Sequence, residues 1–144
     1  MIVFAIVAVG GLVAAGVLHL YWAVGGTWPG SDRTDLARKV VGDTDVFPSA
    51  AMTFAVAGLL FVAALFVGGA SGLWTVPFPD WFLIGAAWTV AGVLLIRGIA
   101  GIAISGVREI KGRGTPFTRS DLRIYSPFTL AMGVLTTIAV AAGA

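Results

Sequence analysis

Trp81-Phe-Leu-Ile-Gly-Ala-Ala-Trp-Thr-Val-Ala-Gly-Val-Leu-Leu-Ile-Arg97-Gly-Ile-Ala-Gly-Ile-Ala-Ile-Ser105 is an unbroken apolar run with one charge inside it, Arg97. About 20 such residues cross a bilayer as a helix, so this stretch is long enough to span. A guanidinium in hydrocarbon costs roughly 2.5–3.5 kcal/mol on insertion scales. A partner, a watery cavity or a ligand must offset that cost.

Three further segments approach the same length. They run over about 2–23, 49–70 and 127–142, with the quoted run as 81–105. The expected fold is therefore all-α, a bundle of four transmembrane helices making one integral-membrane domain over 1–144. Composition agrees: 58% of residues are hydrophobic and 11% charged, against about 25% charged in a soluble domain. The first segment lacks the basic start of a signal peptide and ends in His19-Leu-Tyr-Trp22, a pattern of interfacial aromatics, so it is read as a true span.

Several residues mark helix ends. Asp80 and the pair Ser126-Pro127 read as openings of the third and fourth spans, and Pro48 as that of the second. Asp35 to Val41 can form a short surface helix in the first loop. The basic residues are lopsided. Arg33, Arg38 and Lys39 lie in the first loop, and Arg108, Lys111, Arg113, Arg119 and Arg123 in the third, while the second loop and both termini have none. The positive-inside rule then puts loops one and three in the cytoplasm and both termini outside, as expected of a multi-pass protein of the inner (cytoplasmic) membrane.

This orientation gathers the unusual polar groups at one end. His19 lies near the inner end of the first span. Arg97 lies eight residues before Ser105, roughly 12 Å above the inner end of the third. Asp121, Tyr125 and Ser126 flank the start of the fourth. His19, Arg97 and Asp121 are the candidate catalytic groups, with Trp22, Trp28, Tyr125 and Ser126 as candidate ligand contacts. Asp121 is the expected counter-charge of Arg97, because Asp80 is at the wrong end and Glu109 sits among loop cations. Snorkelling of the arginine towards the headgroups is the competing reading. Small residues at Ala8, Gly11 and Ala15, and at Gly98, Gly101 and Ser105, suit close helix packing at this end.

The segments His19-Leu-Tyr-Trp22-Ala-Val-Gly25-Gly26 with Trp28-Pro29, then Leu95-Ile-Arg97-Gly98-Ile-Ala-Gly101, then Phe117, Asp121 and Tyr125-Ser126-Pro127, resemble a family of small bacterial four-helix membrane proteins of unknown function. The resemblance covers essentially the whole chain and implies a fold without an activity. One departure is Gly101-Ile-Ala103, where an acidic residue is expected soon after the arginine. It throws the pairing of Arg97 onto Asp121.

Two function classes follow. One is a pocket in the cytoplasmic half for a small amphipathic or lipid-like ligand. There Arg97 would hold an anionic group, His19 would exchange a proton, and Trp22 and Trp28 would pack an apolar body. The other is an accessory or structural subunit of a membrane complex, with Arg97–Asp121 as a structural pair. The bilayer is the implied partner in both, with a membrane-protein partner or a second copy as further candidates. Four helices are too few for an inverted-repeat transporter. Haem is disfavoured because His19 has no second histidine to accompany it. Without cysteine, no thiolate site exists. No metal or other cofactor is expected, and no basic patch interleaved with aromatics points to nucleic acid.

Overall fold

The structure is a computed structural model and describes residues 1–143. It contains α1 (Ile2–Ala23), α2 (Arg33–Val40), α3 (Ala50–Ala70), α4 (Asp80–Ile110), α5 (Pro116–Ser120) and α6 (Ser126–Gly143). A π-helical turn, Asp121–Tyr125, joins α5 to α6. Four helical stretches are long and apolar enough to cross a membrane: α1, α3, α4 and the continuous run 116–143. No strand occurs among the described residues.

The four long helices form an antiparallel ring. α1 packs on α3 and α6, and α4 packs on α3 and α6. Glycines set the close approaches. Gly16 lies under Phe61 and Gly11 under Met132, while Gly98 lies against Leu130 and Gly133 against Leu95. Between the helices sits a core of small or slender residues, including Ala8, Val9, Leu12, Ala64, Val67, Ala87 and Val140. Elsewhere large apolar side chains point outward, as lipid-facing helices require: Ile96, Ile99 and Ile104 are all exposed.

The helix ends differ from the sequence expectation at α3, where Ser49 and not Pro48 is the N-cap, at α4 and at the fourth span. Asp80 does not cap α4. Pro79 is the N-cap residue and Asp80 lies in the first helical turn, where its charge still favours the helix dipole. α4 continues past Ser105 to Ile110, and its 31 residues measure about 46 Å, longer than the hydrocarbon core. The largest difference concerns the fourth span. It opens at Pro116, not Pro127, behind a capping box in which Thr115 and Thr118 each bond the other's backbone N–H.

Ser126 is therefore not a cap: its φ of −70° and ψ of −44° are helical. Proline inside a helix removes one donor, and its ring crowds the carbonyl four residues back. The π turn just before Pro127 widens the helix at that point. There the Ser126 N–H bonds the Asp121 carbonyl, five residues back.

The surface helix expected over 35–41 is α2, which starts two residues earlier and ends at Val40. Asp32 caps it, accepting from the Asp35 N–H at 2.8 Å. α2 packs against α5, so the first and third loops form one layer over this end of the ring.

Candidate functional site

Arg97 projects from α4 towards the π turn. Its Nη2 donates to Asp121 Oδ1 at 2.7 Å and its Nη1 to Ser126 Oγ at 3.1 Å. On the other side of the carboxylate, Ser105 Oγ donates to Asp121 Oδ2 at 2.7 Å. Asp121 is 1% exposed. A carboxylate that deep demands a charge partner and hydrogen bonds on both oxygens, and it has them. Gly101 makes the room, because a methyl group there would overlap the Ser126 hydroxyl and the Arg97 guanidinium.

The π turn explains how both partners reach the arginine. Residues five apart on an α-helix differ by about 140° in direction at 3.6 residues per turn. An i to i+5 hydrogen bond brings such residues almost onto one face. Asp121 and Ser126 are five apart, and both face Arg97.

The arginine is not fully used by this pairing. Its side chain remains 42% exposed, on a hollow of about 430 Å³ walled by Val40, Val41, Ala100, Ile104 and Phe117. Ring packing links Phe117 to Tyr125, with centroids 6.2 Å apart. Tyr125 itself does not line this hollow.

His19 is placed elsewhere. It lines a separate hollow of about 390 Å³ between α1 and α3, with Trp22, Phe47, Met52, Thr53 and Val56. Val40 and Val41, at the end of α2, wall both hollows. No hydrogen bond joins His19 to Arg97 or Asp121; its Nδ1 lies 2.8 Å from the Ala15 carbonyl. A carbonyl only accepts, so Nδ1 carries the proton. The Trp22 ring stands edge-on to the imidazole at 5.0 Å.

Trp22 and Trp28 play unlike parts. Trp22 is buried, and its indole N–H donates to the Trp28 carbonyl at 2.7 Å. The Trp28 ring is exposed and lines neither hollow.

Two residues matter here beyond the candidate site residues. Ser105 completes the shell of Asp121; the signal was a hydroxyl on the same face of α4 as Arg97 and Gly101. Arg33 donates to the carbonyls of Trp22 at 2.8 Å and Gly26 at 3.2 Å, and lies 4.4 Å over the Phe47 ring. It satisfies the end of α1, as a cation at a helix C-terminus does. Its signal was a basic residue soon after a helix with no basic residue in its own last turn. No cluster of metal-ligating side chains occurs among the described residues.

Four apolar spans, with the Arg97–Asp121 pair between the third and the fourth, define a multi-pass helical membrane protein. The chain belongs to the family described as protein of unknown function (DUF3995), whose model matches residues 12–136. No curated protein and no solved structure matches the chain.

Proposed function

We propose that the protein binds a small anionic amphipath, with Arg97 as the anchor of its headgroup. One observation carries the reading: a guanidinium within a span, held from behind by Asp121 and Ser126, stays 42% exposed on an apolar-walled hollow. Arginine has five N–H donors. Two are spent on Asp121 and Ser126, and the others suit a carboxylate or phosphate. Asp121 is then a positioning residue, holding the guanidinium in one direction. Val40, Val41, Ile104 and Phe117 suit the apolar body.

The separation of His19 from Arg97 favours binding over acid–base chemistry at a shared centre. The charge bias of the loops supports a both-termini-out orientation in the bacterial cytoplasmic membrane, with the Arg97 hollow in the inner half.

The test is native mass spectrometry with lipid extraction on protein purified in mild detergent. A defined anionic amphipath bound to the native chain and lost from Arg97→Gln is expected. An empty native chain, or equal retention by a folded Arg97→Gln, overturns the reading.

The structural-subunit reading has its own support in Asp121, whose two oxygens are both engaged within the chain. Exchanging the charges, Arg97→Asp with Asp121→Arg, separates the readings. A folded exchange variant that keeps its assembly with a membrane partner favours the subunit. One that folds but loses the amphipath favours the binding site.

A further inference from the structure

The hollow beside His19 has a chemistry unlike that of the Arg97 hollow. No charged side chain lines it, and its walls are largely apolar: Trp22, Phe47, Met52 and Val56. Two polar side chains lie among them, and each has already spent a donor. His19 gives its Nδ1 proton to the Ala15 carbonyl at 2.8 Å. Thr53 gives its hydroxyl proton to the Ser49 carbonyl at 2.9 Å. What remains on a neutral imidazole is the Nε2 lone pair, and on the threonine the oxygen lone pairs. The polar side chains of this hollow thus offer acceptors and no free donor.

A ligand with a charged head would find no counter-ion there, and burying it unpaired is costly. A ligand whose polar group is a carbonyl would set acceptor against acceptor. A neutral molecule with a hydroxyl donor matches both groups. The volume, about 390 Å³, falls in the range of small-molecule sites. Met52 and Val56 are 63% and 41% exposed on the membrane-spanning α3, so the rim faces lipid and the ligand arrives from the bilayer.

We infer that the α1–α3 hollow binds a neutral, membrane-soluble alcohol or phenol, whose hydroxyl donates to His19 Nε2. The site is separate from the Arg97 hollow and stands whether or not that one binds an anion.

The chain has a single histidine, so isotope-labelled histidine reports on His19 with no assignment step. The full chain is placed in phosphatidylcholine nanodiscs at about pH 8. It is titrated with a para-dodecyl phenol and, separately, with the methyl ether of that phenol. The phenol is expected to move the Nε2 nitrogen resonance saturably in the direction of an accepted hydrogen bond, and the ether to leave it in place. His19→Phe, which leaves no labelled histidine, is expected to weaken phenol binding in equilibrium dialysis roughly fivefold, the worth of about one neutral hydrogen bond. Val56→Trp, which fills the hollow from α3, is expected to abolish the shift in a folded protein.

Equal shifts from phenol and ether overturn the inference, as does the absence of any saturable shift. Loss of the phenol effect in Arg97→Gln, with Val56→Trp unaffected, also overturns it by placing the probe in the other hollow. Retained phenol-induced shifts in Arg97→Gln support it, even where the anion site of Arg97 has failed its own test.

Discussion

The α1–α3 and α4–α6 contacts are both made close by glycine, yet they are sealed with opposite chemistry. Gly16 of α1 lies under the Phe61 ring, and the neighbouring contacts are apolar. Gly98 and Gly101 of α4 lie against the backbone of Leu130 and the hydroxyl of Ser126, next to an ion pair whose acidic member is buried. In lipid, apolar side chains gain little by facing each other rather than acyl chains, so packing and polar contacts decide helix association. Among the described residues no side-chain hydrogen bond or ion pair fixes the register of α1 against α3. The α4–α6 register is fixed, because moving it by one residue would take Arg97 away from Asp121.

The strongest way to break this contrast is Arg97→Ala. It strands a carboxylate that is 1% exposed, with only the hydroxyls of Ser105 and Ser126 left beside it in the cluster. Removing one member of a buried pair costs about 3–5 kcal/mol, and we expect about 3 because the arginine end is partly open to solvent screening. Denaturant titration in detergent micelles measures it. Asp121→Asn in the same background should recover much of the loss, since an uncharged amide costs less to bury. No recovery would mean that the charge of Asp121 is not what the arginine compensates.

Glycine substitutions sharpen the comparison at lower amplitude. A Cβ on Gly98 would sit 2.7 Å from the Leu130 backbone nitrogen, and backbone cannot swing aside. Gly98→Ala should destabilise by about 1–3 kcal/mol through overpacking. A Cβ on Gly16 would meet the Phe61 ring at 2.9 Å, and a ring at the end of a side chain can turn. Alanine also gains up to about 1 kcal/mol over glycine in a helix. Gly16→Ala should therefore be near neutral in the same titration. Equal losses for the two variants would remove the distinction between the contacts.

The pairing of Arg97 was legible in the sequence because the alternatives could be eliminated by position: one acidic residue was at the wrong end and another among loop cations. The bounds of α1 were legible because an uninterrupted apolar run leaves little choice. The start of the fourth span was not. Ser126-Pro127 has the form of a helix opening, and Thr115-Pro116 has it too. Local preference cannot say which proline begins a helix and which is carried inside one by a π turn. In the fold a π turn precedes Pro127 and sets Asp121 and Ser126 towards Arg97, and that arrangement is tertiary. Likewise, His19 and Arg97 share an end of the bundle but not a cavity. Depth follows from counting residues, whereas the wall between them comes from α2, whose seat against α5 no periodicity reports.

That wall supplies the smallest expected effect. Val40 and Val41 separate the hollows, and surface ion pairs lie along α2 and the loop that follows it. Lys39 pairs with Asp35 at 2.8 Å, Arg38 pairs with Asp45, and Arg108 of α4 reaches Asp43 at 3.2 Å. Each is exposed, so each contributes little alone. The Lys39 ammonium beside Asp35, helped by the Ser31 backbone N–H, holds its carboxyl below the ordinary value. Arg38 does the same for Asp45. A depressed carboxylate contributes its stabilisation above the unfolded pKa, and that contribution is lost as pH falls through the folded one. α2 should therefore keep its order through neutral pH and loosen once the medium is acidified below the ordinary carboxylate range, while the spans stay folded. The Ser31 amide resonance, which reports the 2.8 Å bond to Asp35, is the measurement. Its acid transition should vanish in Asp35→Asn. If the transition persists there, α2 is held by its packing on α5, and the division between the two hollows does not depend on surface charge.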